Sequence, residues 1–259
     1  IVDNLYKIPH DIDIVVGVPR RGLIPATMIA CYLNKPLTDV EGILSKRIFE
    51  AGNTKNKRDW VSDVNSAKKI LVVEDSTASG KSILSVMKKL STVAIEKIYL
   101  SVMVTPEAAN IVDIFFAIVP MPRMFEWNFM HHAYLSQSCL DFDGVLCEDP
   151  APEENDDGDN YRNFLLNAKP KLLPSRPVGC IVTCRLKKYA AETQTWLLKN
   201  NIQYQYLIMM DFETAEERRR SGSHAIYKAN VYGAINDAVL FIESDPRQAE
   251  YISKITKKD

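Results

Sequence analysis

The chemistry in this sequence sits where apolar runs end in charged residues. Ile70-Leu71-Val72-Val73 runs straight into Glu74 and Asp75, and Ser76-Thr77-Ala78-Ser79-Gly80-Lys81-Ser82 then leads into a segment ending near Leu90. This pattern predicts a buried parallel strand, a loop at its carboxyl end and a helix that begins near Gly80 or Lys81. The free N–H groups of that first helical turn, with the hydroxyls of Thr77, Ser79 and Ser82, suit a phosphate monoester. Glu74 and Asp75 would repel a bare phosphate, so they are better matched to sugar hydroxyls or to Mg²⁺ held through them. A Walker A reading of Gly80-Lys81-Ser82 fails, because that loop needs glycine at position 75, where Asp75 stands.

A second charged strand end follows Ile14-Val15-Val16-Gly17-Val18. Pro19-Arg20-Arg21-Gly22 forms a tight loop there, before a helix expected over Leu23 to Leu33 in which Pro25 must fall in the first turn. Two fork-shaped donors and a flexible glycine suit a diphosphate, while a solvated turn is the alternative. Residues 44–69 carry many cations and no long periodic pattern, so their centre reads as a mobile loop, with Lys46 and Arg47 just before it. Further on, Phe125-Glu126-Trp127-Asn128 follows a proline turn, and Trp127 could stack on a planar base or pack in a core.

The second half has its own pair of acids. Ser138-Cys139-Leu140-Asp141-Phe142-Asp143-Gly144-Val145 begins as a strand, and in extended chain Asp141 and Asp143 would face the same way while Phe142 turns inward. Two carboxylates so close call for a cation, and Mg²⁺ would neutralise them while accepting a phosphate oxygen. Taken alone, an Asp-x-Asp-Gly could equally be a calcium or turn element. Gly179-Cys180-Ile181-Val182-Thr183 is an apolar strand ending in a hydroxyl, and Val239-Leu240-Phe241-Ile242 is one ending in Glu243 and Asp245.

These elements need a scaffold, and 259 residues at 46% hydrophobic can bury one large core or two smaller ones. The first 135 residues carry 16 basic and 14 acidic side chains and the remainder 16 and 19, so neither half points to nucleic acid. No apolar run is long enough for a membrane span. Five cysteines, an odd number, suggest a reducing compartment, in keeping with an expected cytoplasmic location, and Cys139, Cys147, Cys180 and Cys184, without paired CxxC spacing, read as core or near-core filler. The chain opens on Ile1, which leaves a preceding segment open. Glu153-Glu154-Asn155-Asp156-Asp157-Gly158-Asp159 reads as solvated surface.

The strand, acid pair and small-residue loop of residues 70–82 resemble the phosphoribosyl-diphosphate (PRPP) motif of type I phosphoribosyltransferases, with Thr77 where that family usually has an aliphatic residue. On this resemblance Glu74 and Asp75 orient the ribose, and Thr77, Ala78, Ser79, Gly80, Lys81 and Ser82 hold its 5-phosphate. It also implies that Arg20, Arg21 and Gly22 form the diphosphate loop and that Lys46 and Arg47 precede a flexible hood and touch the diphosphate. Phe125 to Asn128 is partly similar to a stretch that ends the fold of purine phosphoribosyltransferases, which favours a purine-like base stacked on Trp127. The Asp-Phe-Asp-Gly-Val segment looks like the first motif of the haloacid dehalogenase-like (HAD) hydrolases. That likeness implies Asp141 as nucleophile, Asp143 as acid/base, Thr183 on the phosphate, Lys228 as the cation between them, and a Mg²⁺ site from Asp141, Asp143, Glu243 and Asp245. The family more often has aspartate where Glu243 stands.

The expected architecture is therefore α/β, with two doubly wound parallel-sheet domains, type I phosphoribosyltransferase-like over 1–135 and HAD-like over 136–259. The implied function is transfer of 5-phosphoribosyl from PRPP to a nitrogenous base, followed by Mg²⁺-dependent hydrolysis of the nucleotide or a related phosphosugar. The alternative is a phosphatase whose first domain only senses a ligand of the PRPP or ribose 5-phosphate kind. A homodimer is compatible with either.

Overall fold

The computed structural model of the protein describes residues 1–49 and 60–258. It divides into two compact units, Ile1–Arg123 and Met124–Asp259. The division falls earlier than the boundary expected after residue 135, because Met130 and Leu135 are buried in a core shared with Leu140 and Trp196 of the second unit. The expected mobile-loop centre falls largely on residues 50–59, outside the described residues.

The first unit has strands β1 (Ile14–Gly17), β2 (Leu37–Asp39), β3 (Lys69–Thr77), β4 (Glu96–Val104) and β5 (Ile114–Ile118) in the order β2-β1-β3-β4-β5. Every pairing is parallel. Alternation along the central strands feeds two cores, since Ile14, Val16, Ile70 and Val72 pack in one and Val15, Leu71 and Val73 in the other. A sheet covered on both faces needs strands that are apolar throughout, which is what residues 14–18 and 70–73 supply. Helix α1 (Leu23–Leu33) buries Ala26, Ile29 and Ala30 on one face of the sheet, with Pro25 tolerated at its third position, and ends at Asn34 in the left-handed conformation. The short α2 (Val40–Leu44) starts from Asp39, whose carboxylate accepts from Gly42 N–H. Helix α3 (Lys81–Lys89) places Ile83 and Val86 in the core on the opposite face from α1.

The second unit has β6 (Ser138–Leu140), β7 (Val178–Leu186), β8 (Tyr204–Met210) and β9 (Leu240–Ile242), all parallel, in the order β8-β7-β6-β9. Five helices accompany them among the described residues: α4 (Asp159–Asn167), α5 (Ala190–Lys199), α6 (Ala215–Ser221), α7 (His224–Ala234) and α8 (Pro246–Thr256). Phe142, Ile181, Trp196 and Leu197 fill one core, and Val182, Tyr232 and Phe241 fill another with Cys139 and Cys180. All five cysteines are free thiols, and Cys139, Cys147 and Cys180 are buried as expected of filler. The acidic run is not wholly solvated surface: Asp156 accepts from the N–H groups of Gly158 and Tyr161 at the start of α4, and Asp157 takes Tyr189, Lys188 and Ala215 N–H. No helix among the described residues is long and apolar enough to cross a membrane.

Candidate functional sites

In the first unit the strand order reverses between β1 and β3, so the loops that follow them part to opposite faces and leave a crevice at the carboxyl end of the sheet. The two loops start side by side, since Val18 N–H donates to the Val73 carbonyl at 2.9 Å. A methyl group at Gly22 would lie 2.6 Å from that same carbonyl and 2.7 Å from the Val18 carbonyl, so only glycine lets the diphosphate-loop candidate pack here. Arg20 is exposed and Arg21 half-buried, and neither forms an ion pair among the described residues.

Gly80 begins α3 at φ +75°, without a side-chain cap, which leaves the first N–H groups of the helix open beside exposed Ala78, Ser79 and Lys81. Glu74 and Asp75 lie near the end of β3, which continues through Ser76 to Thr77 where a loop was expected; both acids are 6% exposed, and Asp75 Oδ2 and Thr77 Oγ1 are buried without a hydrogen-bond partner. Leaving such atoms unpaired costs about 1–3 kcal/mol each, a cost that a hydroxyl-rich ligand would offset. Burial, and then the Asp75 carboxyl beside it, push Glu74 up to about 7 against the pull of the Ser82 hydroxyl. That hydroxyl donates to Glu74 Oε2 at 2.7 Å, so Ser82, expected on the phosphate, is turned toward the acid pair.

The remaining first-half candidates separate. Arg47 pairs with Asp39 at 3.1 Å and lies over the Phe49 ring, at the carboxyl end of β2. Lys46, with φ +59°, lines a cleft of about 410 Å³ with Val64, Ala67 and Ile95, which lie at or just before the amino ends of β3 and β4. Trp127 belongs to the second unit, where its ring stacks on Phe125 at 5.1 Å. One residue escaped the sequence reading: Arg123 donates to Ser76 Oγ at 2.6 Å and to the Val119 carbonyl at 2.8 Å. Burial lowers its pKa while Asp75 opposes the shift, so this cation adjoins the acid pair. A lone arginine after Pro120-Met121-Pro122 carries no pattern that would have marked it.

Residues 1–118 match the phosphoribosyl transferase domain family. The first unit is thus phosphoribosyltransferase-like in sequence, in keeping with its parallel α/β fold. Among solved structures, the purine phosphoribosyltransferase of Pyrococcus horikoshii Ot3 aligns with 49% of this chain and 81% of its own at 18% identity and a TM-score of 0.34. The xanthine-guanine-hypoxanthine phosphoribosyltransferase of Helicobacter pylori aligns with 49% of this chain and 82% of its own at 19% identity and 0.35. The orotate phosphoribosyltransferase of Aeropyrum pernix aligns with 46% and 69% at 20% identity and 0.32. No curated protein matches the chain.

In the second unit a polar cavity of about 470 Å³ opens at the carboxyl ends of β6, β7 and β9. β6 stops at Leu140, and Leu146 N–H folds back to the Phe142 carbonyl at 2.8 Å while Gly144 adopts φ +78°. Asp141 continues the line of β6, its N–H donating to the Ile242 carbonyl at 3.0 Å, and Asp143 bridges to Cys147 just before the turn at residues 144–146. Both line the cavity, but they hold different partners. Lys228 Nζ lies 2.6 Å from Asp141 Oδ2 and 2.5 Å from Glu243 Oε2. Asp143 takes Arg185, a fully buried guanidinium not anticipated from the sequence, through Nη2 at 2.6 Å. The spacing of Arg185, two residues after Thr183, was a signal available in the sequence. Thr183 is itself fully buried, and its Oγ1 accepts from Arg185 N–H at 3.1 Å.

Burial pushes Asp141 up to about 7, with Glu243 and Asp143 adding to the rise and Lys228 opposing it. Lys228 also moves up: burial alone would lower it, but Asp141, Cys184 and Glu243 together prevail. Both partners rise because one ammonium serves two carboxylates, so the lysine keeps its proton and the acids compete for it.

The four expected Mg²⁺ ligands, Asp141, Asp143, Glu243 and Asp245, line one cavity, but each is paired with a cation of the protein. Among the described residues no three acidic, histidine or cysteine side chains form a metal-holding group. Arg185 occupies Asp143, Lys228 joins Asp141 to Glu243, and Asp245 accepts from Arg247 N–H at the start of α8 and pairs with the Arg247 guanidinium. As placed, these four acids do not fit the ion.

Proposed function

We propose that the chain transfers 5-phosphoribosyl from PRPP to a nitrogenous base in its first unit and hydrolyses a phosphomonoester in its second. The observation that carries the transferase reading is the pair of buried, unpartnered oxygens of Asp75 and Thr77 beside the uncapped start of α3, within the stretch that matches the family. Ribose hydroxyls donate to Glu74 and Asp75, and the 5-phosphate lies on the N–H groups after Gly80. Arg20 and Arg21 draw charge from the departing diphosphate as the bond to C1 of the ribose breaks and the base nitrogen bonds to that carbon. Mg²⁺ would be held here through the carboxylates of Glu74 and Asp75, and would neutralise charge on the diphosphate.

The hydrolase reading is favoured by Lys228 bridging Asp141 and Glu243, and by a strand order that sets β6 between β7, with Thr183, and β9, with Glu243. An Asp141 oxygen attacks phosphorus, the ester oxygen leaves with a proton, and water then hydrolyses the aspartyl phosphate. Lys228 lets the carboxylate and the phosphate approach despite their like charge. Asp143 is the residue suited to move the proton, with Arg185 fixing its oxygens.

Incubation with PRPP, Mg²⁺ and a panel of purine, pyrimidine and related bases tests both. Diphosphate should appear only with a suitable base, and mass spectrometry should find the nucleoside with wild type and the nucleotide with Asp141→Asn. PRPP that binds without releasing diphosphate for any base, yet alters phosphate release, would mean that the first unit is a sensor.

A further inference from the structure

The second unit's cavity has a wall that the hydrolase reading leaves unused. His224 and Lys228 stand four residues apart on α7, one turn apart on one face, and both line the cavity with Asp141. Arg218, from α6, lines the same wall, and its Nη1 donates to the carbonyl of Cys184, the residue after Thr183, at 2.9 Å. That bond anchors the guanidinium at the point where β7 delivers Thr183. Arg218 Nε and His224 Nε2 are both buried without a hydrogen-bond partner.

Charge separates this wall from the rest of the cavity. Lys228 is committed to Asp141 and Glu243, and Arg185 to Asp143. Arg218 forms no ion pair among the described residues, and its interactions are with the Cys184 carbonyl and the Tyr161 hydroxyl. Burial lowers the His224 pKa, with Arg218 and Lys228 adding to the effect, so the imidazole is neutral near pH 7 and offers a donor without adding charge. A cation and a neutral donor lining one cavity with the nucleophile are complementary to an anion with oxygens still exposed after Lys228 has taken its share.

We infer that Arg218 and His224 bind the outer oxygens of the phosphoryl group that Asp141 attacks, which makes the substrate a dianionic phosphomonoester held from two sides, by Lys228 and by Arg218. This rests on the hydrolase reading for the identity of the anion. The assignment makes Arg218 and His224 substrate-binding residues beyond the four-part motif legible in the sequence.

The test uses the full chain, with inorganic phosphate as the binding probe and an aryl phosphate as the substrate. Arg218→Gln should weaken phosphate binding by calorimetry about 10-fold or more, and should raise KM by a similar factor with a smaller change in kcat. Arg218→Lys should restore part of both, because it returns the charge without the fork, and His224→Gln should raise KM by a few-fold. A folded Arg218→Gln protein with wild-type phosphate affinity and KM would overturn the inference while leaving the hydrolase reading intact. Should Arg218→Gln not fold, unchanged values in both Arg218→Lys and His224→Gln would overturn it equally. A wild-type chain that neither binds phosphate nor hydrolyses any phosphomonoester would overturn the hydrolase reading, and this inference with it.

Discussion

Arg185 holds Asp143 from beneath, with Nε 3.1 Å from both carboxylate oxygens and Nη2 2.6 Å from Oδ1. The same guanidinium lies over the Phe142 ring, 3.7 Å from its centroid, and its Nη2 reaches Cys147 Sγ at 3.3 Å. Burial would lower the Arg185 pKa, but Asp143 more than offsets this and raises it, so the charge is retained inside the protein. Three residues from one short turn are thereby tied to the end of β7.

Removing that cation should be costly. Arg185→Met leaves Asp143 without its partner and is expected to destabilise the second unit by about 3 kcal/mol, whereas Arg185→Met with Asp143→Leu should regain most of the loss. Denaturant unfolding of the single and double variants measures both. Equal stability of the single variant and wild type would show that solvent already screens Asp143.

Lys228 is shared by two acids, so its loss should matter more. Lys228→Met brings Asp141 and Glu243 together with no counter-charge, at an expected cost of about 4 kcal/mol, and adding Glu243→Gln should recover part of it. Hydrolysis of an aryl phosphate should disappear in both variants. Retained turnover would remove the lysine from the proposed mechanism.

Glu74 makes the first unit sensitive to pH. Its folded-state pKa of about 7 lies above the model-peptide value, so the folded protein binds more protons than the unfolded chain between roughly pH 4.5 and 7, and stability falls as pH rises through that window. The loss is about 3 kcal/mol and is complete above pH 7. Relative to wild type, Glu74→Gln should flatten this slope, read by hydrogen exchange of β3 amides at a series of pH values. Ribose 5-phosphate binding should tighten as pH rises through 7, because only the ionised carboxylate accepts from two hydroxyls; a pH-independent affinity would separate Glu74 from the ribose.

Gly80 should tolerate no side chain. At φ +75° a Cβ would approach Ile111 Cδ1 to 2.6 Å, so Gly80→Val strains the start of α3 as well as obstructing the N–H groups there. Calorimetry should show loss of binding for both PRPP and ribose 5-phosphate, with aryl phosphate hydrolysis by the second unit nearly unchanged. Unaltered affinity would place the phosphate elsewhere.

Local sequence was sufficient wherever a function is written in consecutive residues. The apolar run into Glu74 and Asp75, the glycine that starts α3, and helix α1 from Leu23 to Leu33 all follow from periodicity and backbone freedom, and the structure has them at those positions. The same is true of the paired sheets, because strands apolar on both faces must be covered on both. Tertiary structure decided which charges meet. Arg123 and Ser76 are 47 residues apart, Arg185 and Asp143 are 42 apart, and Lys228 and Asp141 are 87 apart. Of the three cations, only Lys228 was marked in advance, through a family likeness. It also decided that Ser82 turns toward Glu74, and that Arg47 pairs with Asp39. The reason is physical: hydrophobic pattern is set by neighbours in sequence, whereas a buried charge is satisfied by whichever partner the packed strands bring within about 3 Å, and no local period encodes that choice.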